Sequence, residues 1–302
     1  MRWFENPNFD FVGKRRIALA ISGTLVAIAI ISVIVKGVQY GIAFKGGKEF
    51  VVQFQKAANV SQIRNDLSRP LNGAPVVKRY GSPKEILIRT DAKGSISDVE
   101  HTINTVLNSK NNPANVIKTD IVGPRFAKQL KQGAFEAILF AMIVIFIYIL
   151  IRFKNWAFSL GAVVALCHDV LITLGVFTIF SNISPFSMQI DESLIGAFLT
   201  IVGYSLNDTV VVYDRVRENM QEYKTMDYME MINKSLNDTL SRTIITALTT
   251  FFVVAVLFFF GGQVLKGFSF ALMLGILVGT YSSLFVATGL VVELKVRRQE
   301  KT

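Results

Sequence analysis

Six apolar runs, each long enough to cross a hydrocarbon core of about 30 Å as a helix rising about 1.5 Å per residue, govern what this 302-residue chain can become. They occupy residues 17–35, 135–151, 156–180, 194–213, 243–260 and 268–290. Backbone groups inside a bilayer have no water to bond to, so such runs must be helices. The chain is therefore expected to be an α-helical polytopic membrane protein, consistent with 51% hydrophobic residues. Its partners begin with the lipid bilayer itself.

The net charge of +10 would point to nucleic acid in a soluble protein. Here the basic residues flank the spans and can orient them instead, so no nucleic-acid partner is expected. Lys14, Arg15 and Arg16, the turn with Arg152 and Lys154, the loop with Arg215, Arg217, Lys224 and Lys234, and the tail with Lys295, Arg297, Arg298 and Lys301 all fall on one side when the spans alternate. By the positive-inside rule that side is cytoplasmic, and both termini lie there. The first run exceeds the apolar core of a usual signal peptide and lacks a small-x-small cleavage site after it, which reads as a retained anchor. The single cysteine, Cys167, lies within a span and reads as a small packed hydrophobe.

These constraints divide the chain into a cytoplasmic N-terminus and first span at 1–35, an extracytoplasmic segment at 36–131, the five-helix remainder of the membrane domain at 132–294, and a cytoplasmic tail at 295–302. The outer segment has a soluble pattern: β-rich 49–55, helical 61–71 behind Asn59, strands at 76–80 and 86–90 separated by Gly81-Ser82-Pro83, a helix at 96–108 and a strand at 115–122. This β-α-β-β-α-β order predicts a ferredoxin-like α+β domain. On the other side, residues 223–237 mix Met226, Met229, Met231, Ile232 and Leu236 with charges, a pattern that fits an interfacial amphipathic helix or an ordinary loop helix.

The fourth run holds the costliest residue. Asp208 lies roughly 20 Å of helix beyond Leu194, and a carboxylate that deep in a span costs about 2.5–3.5 kcal/mol on insertion scales. Gly196, Thr200, Gly203, Tyr204, Asn207, Asp208, Val211 and Arg215 recur at helical spacing as one stripe, which would admit a close helix neighbour and keep Asp208 off lipid. Arg242 at the mouth of the fifth run, with Thr246, Thr249 and Thr250 on its face, is a candidate counter-charge. Two readings stand for each: Asp208 as proton carrier or as polar glue between helices, and Arg242 as its partner or as a membrane-edge anchor. Asp169, beside His168 in the third run, is the second intramembrane carboxylate, and His168 is either a shuttle or a structural hydrogen-bonding residue. The two point about 100° apart on a helix and make a poor metal pair. In the sixth run Gly275 and Gly279, with Ser282 and Ser283, read as a packing face, as does Gly203 in the fourth. No phosphate loop, nucleophile elbow or zinc spacing is legible, so neither ATP chemistry, hydrolysis, a cofactor nor a metal is expected.

The run Gly203-Tyr204-Ser205-Leu206-Asn207-Asp208-Thr209-Val210-Val211-Val212-Tyr213-Asp214-Arg215-Val216-Arg217-Glu218 closely resembles the fourth-span signature of the SecD/SecF family, on its SecF side, within the resistance-nodulation-division superfamily. His168-Asp169-Val170, Ser241-Arg242-Thr243-Ile244 and the glycine-rich sixth run agree in order. The resemblance implies a six-helix half-bundle that pairs with SecD into a twelve-helix unit, works beside the SecYEG channel and YajC, and uses the proton-motive force to complete movement of unfolded preprotein on the extracytoplasmic side of the cell membrane. It also implies that Asp208 and Arg242 match positions linked to proton transport and Asp169 a further membrane-embedded acidic position; the residues themselves add Asn207, Thr246 and His168 as supporting polar groups of a pathway through these three. A small-molecule exporter of the same superfamily and a structural scaffold of a channel are the rival readings. One motif departs: where the family usually has Gly-x-Asp-Phe-x-Gly-Gly-Thr after the first span, this chain has Gly41-Ile42-Ala43-Phe44-Lys45-Gly46-Gly47-Lys48.

Overall fold

The computed structural model describes residues 7–73, 75–108, 112–181 and 183–299; Lys301 and the side chain of Arg298, expected in the basic tail, lie outside them. The chain separates into two compact units, one formed by Met1–Gly37, Ala137–Ile179 and Ser193–Thr302, the other by Val38–Glu136 and Phe180–Glu192.

The second unit is built on a four-stranded antiparallel sheet. Its elements are a short helix α2 (Ile42–Lys45), strand β1 (Gly47–Phe54), helix α3 (Val60–Ser68), strands β2 (Val76–Tyr80) and β3 (Ser82–Thr90), helix α4 (Ile96–Asn108) and strand β4 (Ala114–Val122), with α1 (Arg15–Lys36) preceding them in the other unit. The strand order β2-β3-β1-β4 is the ferredoxin-like arrangement expected from the β-α-β-β-α-β pattern. Alternation puts Phe50, Val52 and Phe54 of β1, Val77 of β2 and Ile86 and Ile88 of β3 on the face that packs against Ile63 and Leu67 of α3 and Val99, Ile103 and Leu107 of α4. The helices start where side chains satisfy their first amides. Asn59 Oδ1 accepts from the amides of Ser61 and Gln62, and Ser95 and Asp98 exchange hydrogen bonds as a capping box. Those bonds from Ser95 hold the Asp98 carboxyl below its ordinary pKa.

The altered motif is accommodated locally. Gly46 and Gly47 have φ of 75° and 110°, and a Cβ on Gly47 would press on Asp91 and the Thr90 carbonyl. Lys48 takes the place of the family's threonine by burying its stem and donating from Nζ to the carbonyls of Ala92 (2.7 Å) and Gly94 (2.8 Å).

The loop between the third and fourth long helices belongs to this unit, which its sequence did not signal. Residues Tyr40 and Ile190 form a parallel bridge, with Gly41 N donating to Ile190 O and Ile190 N to Gln39 O, each at 2.8 Å. Arg89 ties the pieces together. It donates to Glu49 Oε2 (2.6 Å), to the Tyr40 carbonyl (2.9 Å) and to Gln189 Oε1 (2.6 Å).

Among the described residues six segments are long and apolar enough to cross a membrane. They are α1, α5 (Pro124–Phe153), α6 (Trp156–Phe180), α7 (Glu192–Glu222), α8 (Tyr228–Phe260), and α9 (Gln263–Ser282), which runs through a π-turn (Ser283–Ala287) into α10 (Thr288–Gln299). Burial sorts them. The apolar windows of α6 and α7 are each 44% buried and that of the last segment 56%, against 17% for α1 and α8 and 6% for α5, so the first three form the centre and the others present Ile, Leu and Phe outward. The helices overrun their apolar stretches, because a backbone already wound continues into polar sequence until a cap or turn stops it.

Two readings stood for residues 223–237, and of these residues 228–237 form the first turns of the long helix α8. Asp227 caps it, and Met231, Ile232 and Leu236 are buried against Phe11, Val12, Phe158, Tyr213 and Val216. The chain before α1 is strapped to the same turns: Asn237 Oδ1 accepts from Phe9 N (2.8 Å), Asn233 Oδ1 from Phe11 N (2.8 Å), and both amide nitrogens donate to the Phe9 carbonyl.

Candidate functional site

At the centre of the helical unit a carboxylate is held by three helices. Asp169 on α6 is fully buried, and its Oδ2 accepts from Ser205 Oγ of α7 at 2.6 Å and from Ser282 Oγ of α9 at 2.8 Å. Its Oδ1 lies 2.9 Å from Nδ1 of His168. Facing a carboxylate oxygen, that nitrogen acts as the donor, which leaves Nε2 as a buried atom with no hydrogen-bond partner. The two side chains start about 100° apart on their helix yet meet at 2.9 Å.

Small residues make this approach possible. Gly279 stands where a Cβ would sit 3.1 Å from Ser205 Cβ and 3.5 Å from Asp169 Oδ2, and Gly275, one turn earlier, leaves room for the Ile201 side chain. Both stand in close contact with α7. Ser282 is more than that, since it binds Asp169 directly. The π-turn begins at the next residue, with Thr288 Oγ1 donating to the Ser283 carbonyl at 3.0 Å. The wider turn sits beside the carboxylate, a placement typical of π-bulges at functional positions. The ring of Tyr281 lies 6.3 Å from that of His168, while its hydroxyl accepts from Ser22 and donates to the Ala18 carbonyl of α1. Ser205 was missed as a site residue although it stands in the fourth-span run. The signal that could have found it is its three-residue offset from Asp208 together with a serine on a second glycine-lined helix.

Asp208, three residues beyond Ser205 on α7, is 3% exposed, and its Oδ2 is buried without a hydrogen-bond partner. Among the described residues no ion pair joins it to Arg242, whose side chain is exposed; the guanidinium acts on the carboxylate only across space. Of the threonines on the Arg242 face, Thr249 and Thr250 donate to carbonyls of their own helix, at Ile245 and Thr246, and Thr246 is half-buried. The small-polar stripe is also placed differently from expectation. Gly196, Thr200, Gly203 and Asn207 are exposed, and a Cβ on Gly196 or Gly203 would meet nothing. Among the described residues nothing therefore packs against the Cβ position of Gly203, and Asp208 is buried beside this open face. The geometry separates the two acids: Asp169 is fully bonded and enclosed, whereas Asp208 keeps a bare oxygen.

Toward the C-terminal end of α7, charges pair. Arg152 reaches Asp214 at 2.8 Å, and Arg215 reaches Asp238 through Nη2 (2.8 Å) and Nε (3.0 Å). Asn219 donates to Ser235 Oγ at 2.9 Å and to Asp238 Oδ2 at 3.3 Å. Arg215 thus serves the packing of α7 on α8. Among the described residues no cluster of three His, Cys, Asp or Glu side chains is placed to hold a metal.

The model of the family "Protein export membrane protein SecD/SecF, C-terminal" matches residues 102–297. The protein translocase subunit SecF of Rhodothermus marinus is 52% identical over 299 residues, covering 98% of this chain and 96% of the relative. That of Haemophilus influenzae is 38% identical over 293 residues, covering 97% and 88%. The crystal structure of SecDF from Thermus thermophilus, described as a translocon-associated membrane protein, superposes with a TM-score of 0.86 at 33% identity over 97% of this chain. This chain spans 39% of that longer one. With the six apolar segments and the ferredoxin-like unit, these matches make it a multi-pass membrane protein of the SecD/SecF family, among the SecF protein translocase subunits.

Proposed function

We propose that this chain pairs with a SecD subunit into a twelve-helix unit in the cell membrane, both termini cytoplasmic, and spends the proton-motive force on completing preprotein translocation. In this reading the sheet-containing unit stands on the extracytoplasmic side, where it meets unfolded preprotein, and SecYEG and YajC are neighbours of the assembled unit. Residues 1–35, 36–131, 132–294 and 295–302 are its cytoplasmic start with first span, outer domain, five-helix membrane remainder and cytoplasmic tail.

The observation that carries the reading is the bare, buried oxygen of Asp208 beside the open stripe Gly196, Thr200, Gly203 and Asn207. A carboxylate in that position is a group that takes up a proton when dry and gives it up when a cation or water arrives. Arg242 keeps its charge at any physiological pH, so its approach would favour ionised Asp208 and its withdrawal the neutral acid. Asn207 and Thr246 are the supporting polar groups of this reading. Asp169, with His168, is the second station, held by Ser205 and Ser282 so that a proton on His168 or Asp169 is felt by three helices at once. The bare Nε2 of His168 is its point of access. One charge crossing 100 mV supplies about 2.3 kcal/mol, enough to bias a conformational equilibrium by roughly fiftyfold. That the Oδ2 of Asp208 has no hydrogen-bond partner among the described residues fits a pathway completed by a second six-helix subunit. The family's shared descent favours export of protein over export of small molecules, and one compact outer unit leaves little room for a drug vestibule.

Asp208→Asn and Arg242→Ala are expected to insert normally into membranes yet to abolish proton-dependent secretion in a complemented strain. Full secretion by either variant would refute the proton role.

A further inference from the structure

A cavity of about 970 Å³ in the sheet-containing unit runs beside β2. It is bounded by the start of α3, by β2 and the turn into β3, and by the loop from Ser181 to Gln189. Three observations bear on what it takes. Among the described residues β2 is an edge strand, paired with β3, and no strand flanks its other side. Arg64 Nη2 donates to the Val77 carbonyl at 3.2 Å, an outside donor standing where another strand would supply one. The charges lining the cavity are Arg64, Lys78 and Arg79, with no acid among the described residues that line it, and Leu87, Phe186 and Met188 add apolar surface.

Lys78 is the most telling of these. Among the described residues its Nζ donates to a neutral partner, Gln39 Oε1, at 2.5 Å. Burial, then the charges of Arg89 and Lys45, lower its pKa from the ordinary lysine value. A cation so placed is short of a counter-charge, and an incoming carboxylate would supply it.

We propose that this groove binds an extended, acid-bearing polypeptide segment, which adds to the β2 edge as a further strand and sets its carboxylates against Lys78, Arg79 and Arg64. The mode is strand addition: main-chain bonds to the edge give affinity for any sequence, and the side-chain pockets give preference. β2 has five residues, about 17 Å of strand, so the groove engages a stretch of about that length at a time. Taking that segment to be translocating preprotein rests on the function proposed above, whereas the binding itself needs no proton gradient and can fail or succeed independently of it.

The test uses the full-length protein in lipid nanodiscs without a gradient and fluorescein-labelled twelve-residue peptides. One peptide alternates Val with Glu, one alternates Val with Lys, and one is the Val/Glu peptide with every amide N-methylated. The Val/Glu peptide should bind at least tenfold more tightly than the other two, and Lys78→Glu combined with Arg64→Glu should reverse the preference between Glu and Lys peptides. Retained hydrogen-exchange protection of the Gly41 and Ile190 amides shows that the unit still folds in the variant. Equal binding of Glu and Lys peptides, or a preference unmoved by the charge reversal in the folded variant, overturns the site. Binding of the N-methylated peptide as tight as its parent overturns strand addition. Loss of secretion in Asp208→Asn with no peptide binding to the native protein would retain the proton role and remove the groove.

Discussion

Replacing Arg89 with methionine should free the loop Phe180–Glu192 from the sheet that holds it. Arg89 and Glu49 have side chains 6% and 13% exposed and sit opposite each other in the β1–β3 register. The guanidinium makes two bonds to Glu49 Oε2, at 2.6 and 3.2 Å, and one each to Tyr40 O and Gln189 Oε1. Methionine keeps most of the volume and none of the donors. Removing one partner of a buried pair costs about 3–5 kcal/mol, chiefly because the other charge is left without its partner. Converted at about 1.36 kcal/mol per decade, that is a factor of about 150 to 5,000 in local opening. The readout is hydrogen exchange of the full-length protein in nanodiscs, at the amides of Gly41 and Ile190, whose bonds cross between the tied segments. Glu49→Gln with Arg89→Met should exchange more slowly than Arg89→Met alone, since no bare charge remains. Protection in Arg89→Met within threefold of the native protein would refute the assignment of Arg89 as the tie.

Three further outcomes follow from the geometry. Because the folded state lowers the pKa of Lys78, the unfolded chain binds more protons between that lowered pKa and the ordinary 10.5, so stability of this unit should rise with pH across that window; Lys78→Met should flatten the rise in denaturation followed by exchange, and an unchanged slope would discard the assignment. Gly275→Leu forces side-chain atoms onto Ile201 and should cost about 1–3 kcal/mol in thermal unfolding, whereas Gly203→Leu, with open space around it, should leave the isolated chain within about 0.5 kcal/mol while lowering recovery of a SecD partner in co-purification; equal effects of the two on stability would contradict the distinction between inner and open faces. Asn233→Ala with Asn237→Ala removes the side-chain bonds that strap Phe9 to Val12, each worth about 0.5–1.5 kcal/mol, and should speed exchange at the Phe9, Phe11 and Val12 amides; unchanged rates there would show that Phe11 packing alone holds the segment.

The sequence alone determined the large-scale architecture. Apolar length selects spanning helices, because the bilayer leaves backbone groups no other way to be satisfied, and the alternation of Phe50, Val52 and Phe54 with the α3 and α4 periodicities selects the ferredoxin-like sheet. It also singled out Asp208, Asp169 and Arg242, since the cost of a charge in a span is a property of position along the chain. What those residues touch was decided only in three dimensions. Ser205 and Ser282 belong to different helices, 77 residues apart in number, and their meeting at Asp169 depends on the close approach that Gly279 permits. Helical spacing grouped Gly203 with packing residues and Asp208 with a protected stripe, but periodicity marks which residues share a face and is silent on whether that face is covered. The same limit hid the Arg89 tie and the loop it holds, because register pairs a residue with its neighbour only after the strands have met. Lys48 shows the converse: a departure from a family pattern that sequence could only mark as different is satisfied by two carbonyls, at Ala92 and Gly94, that lie more than forty residues away.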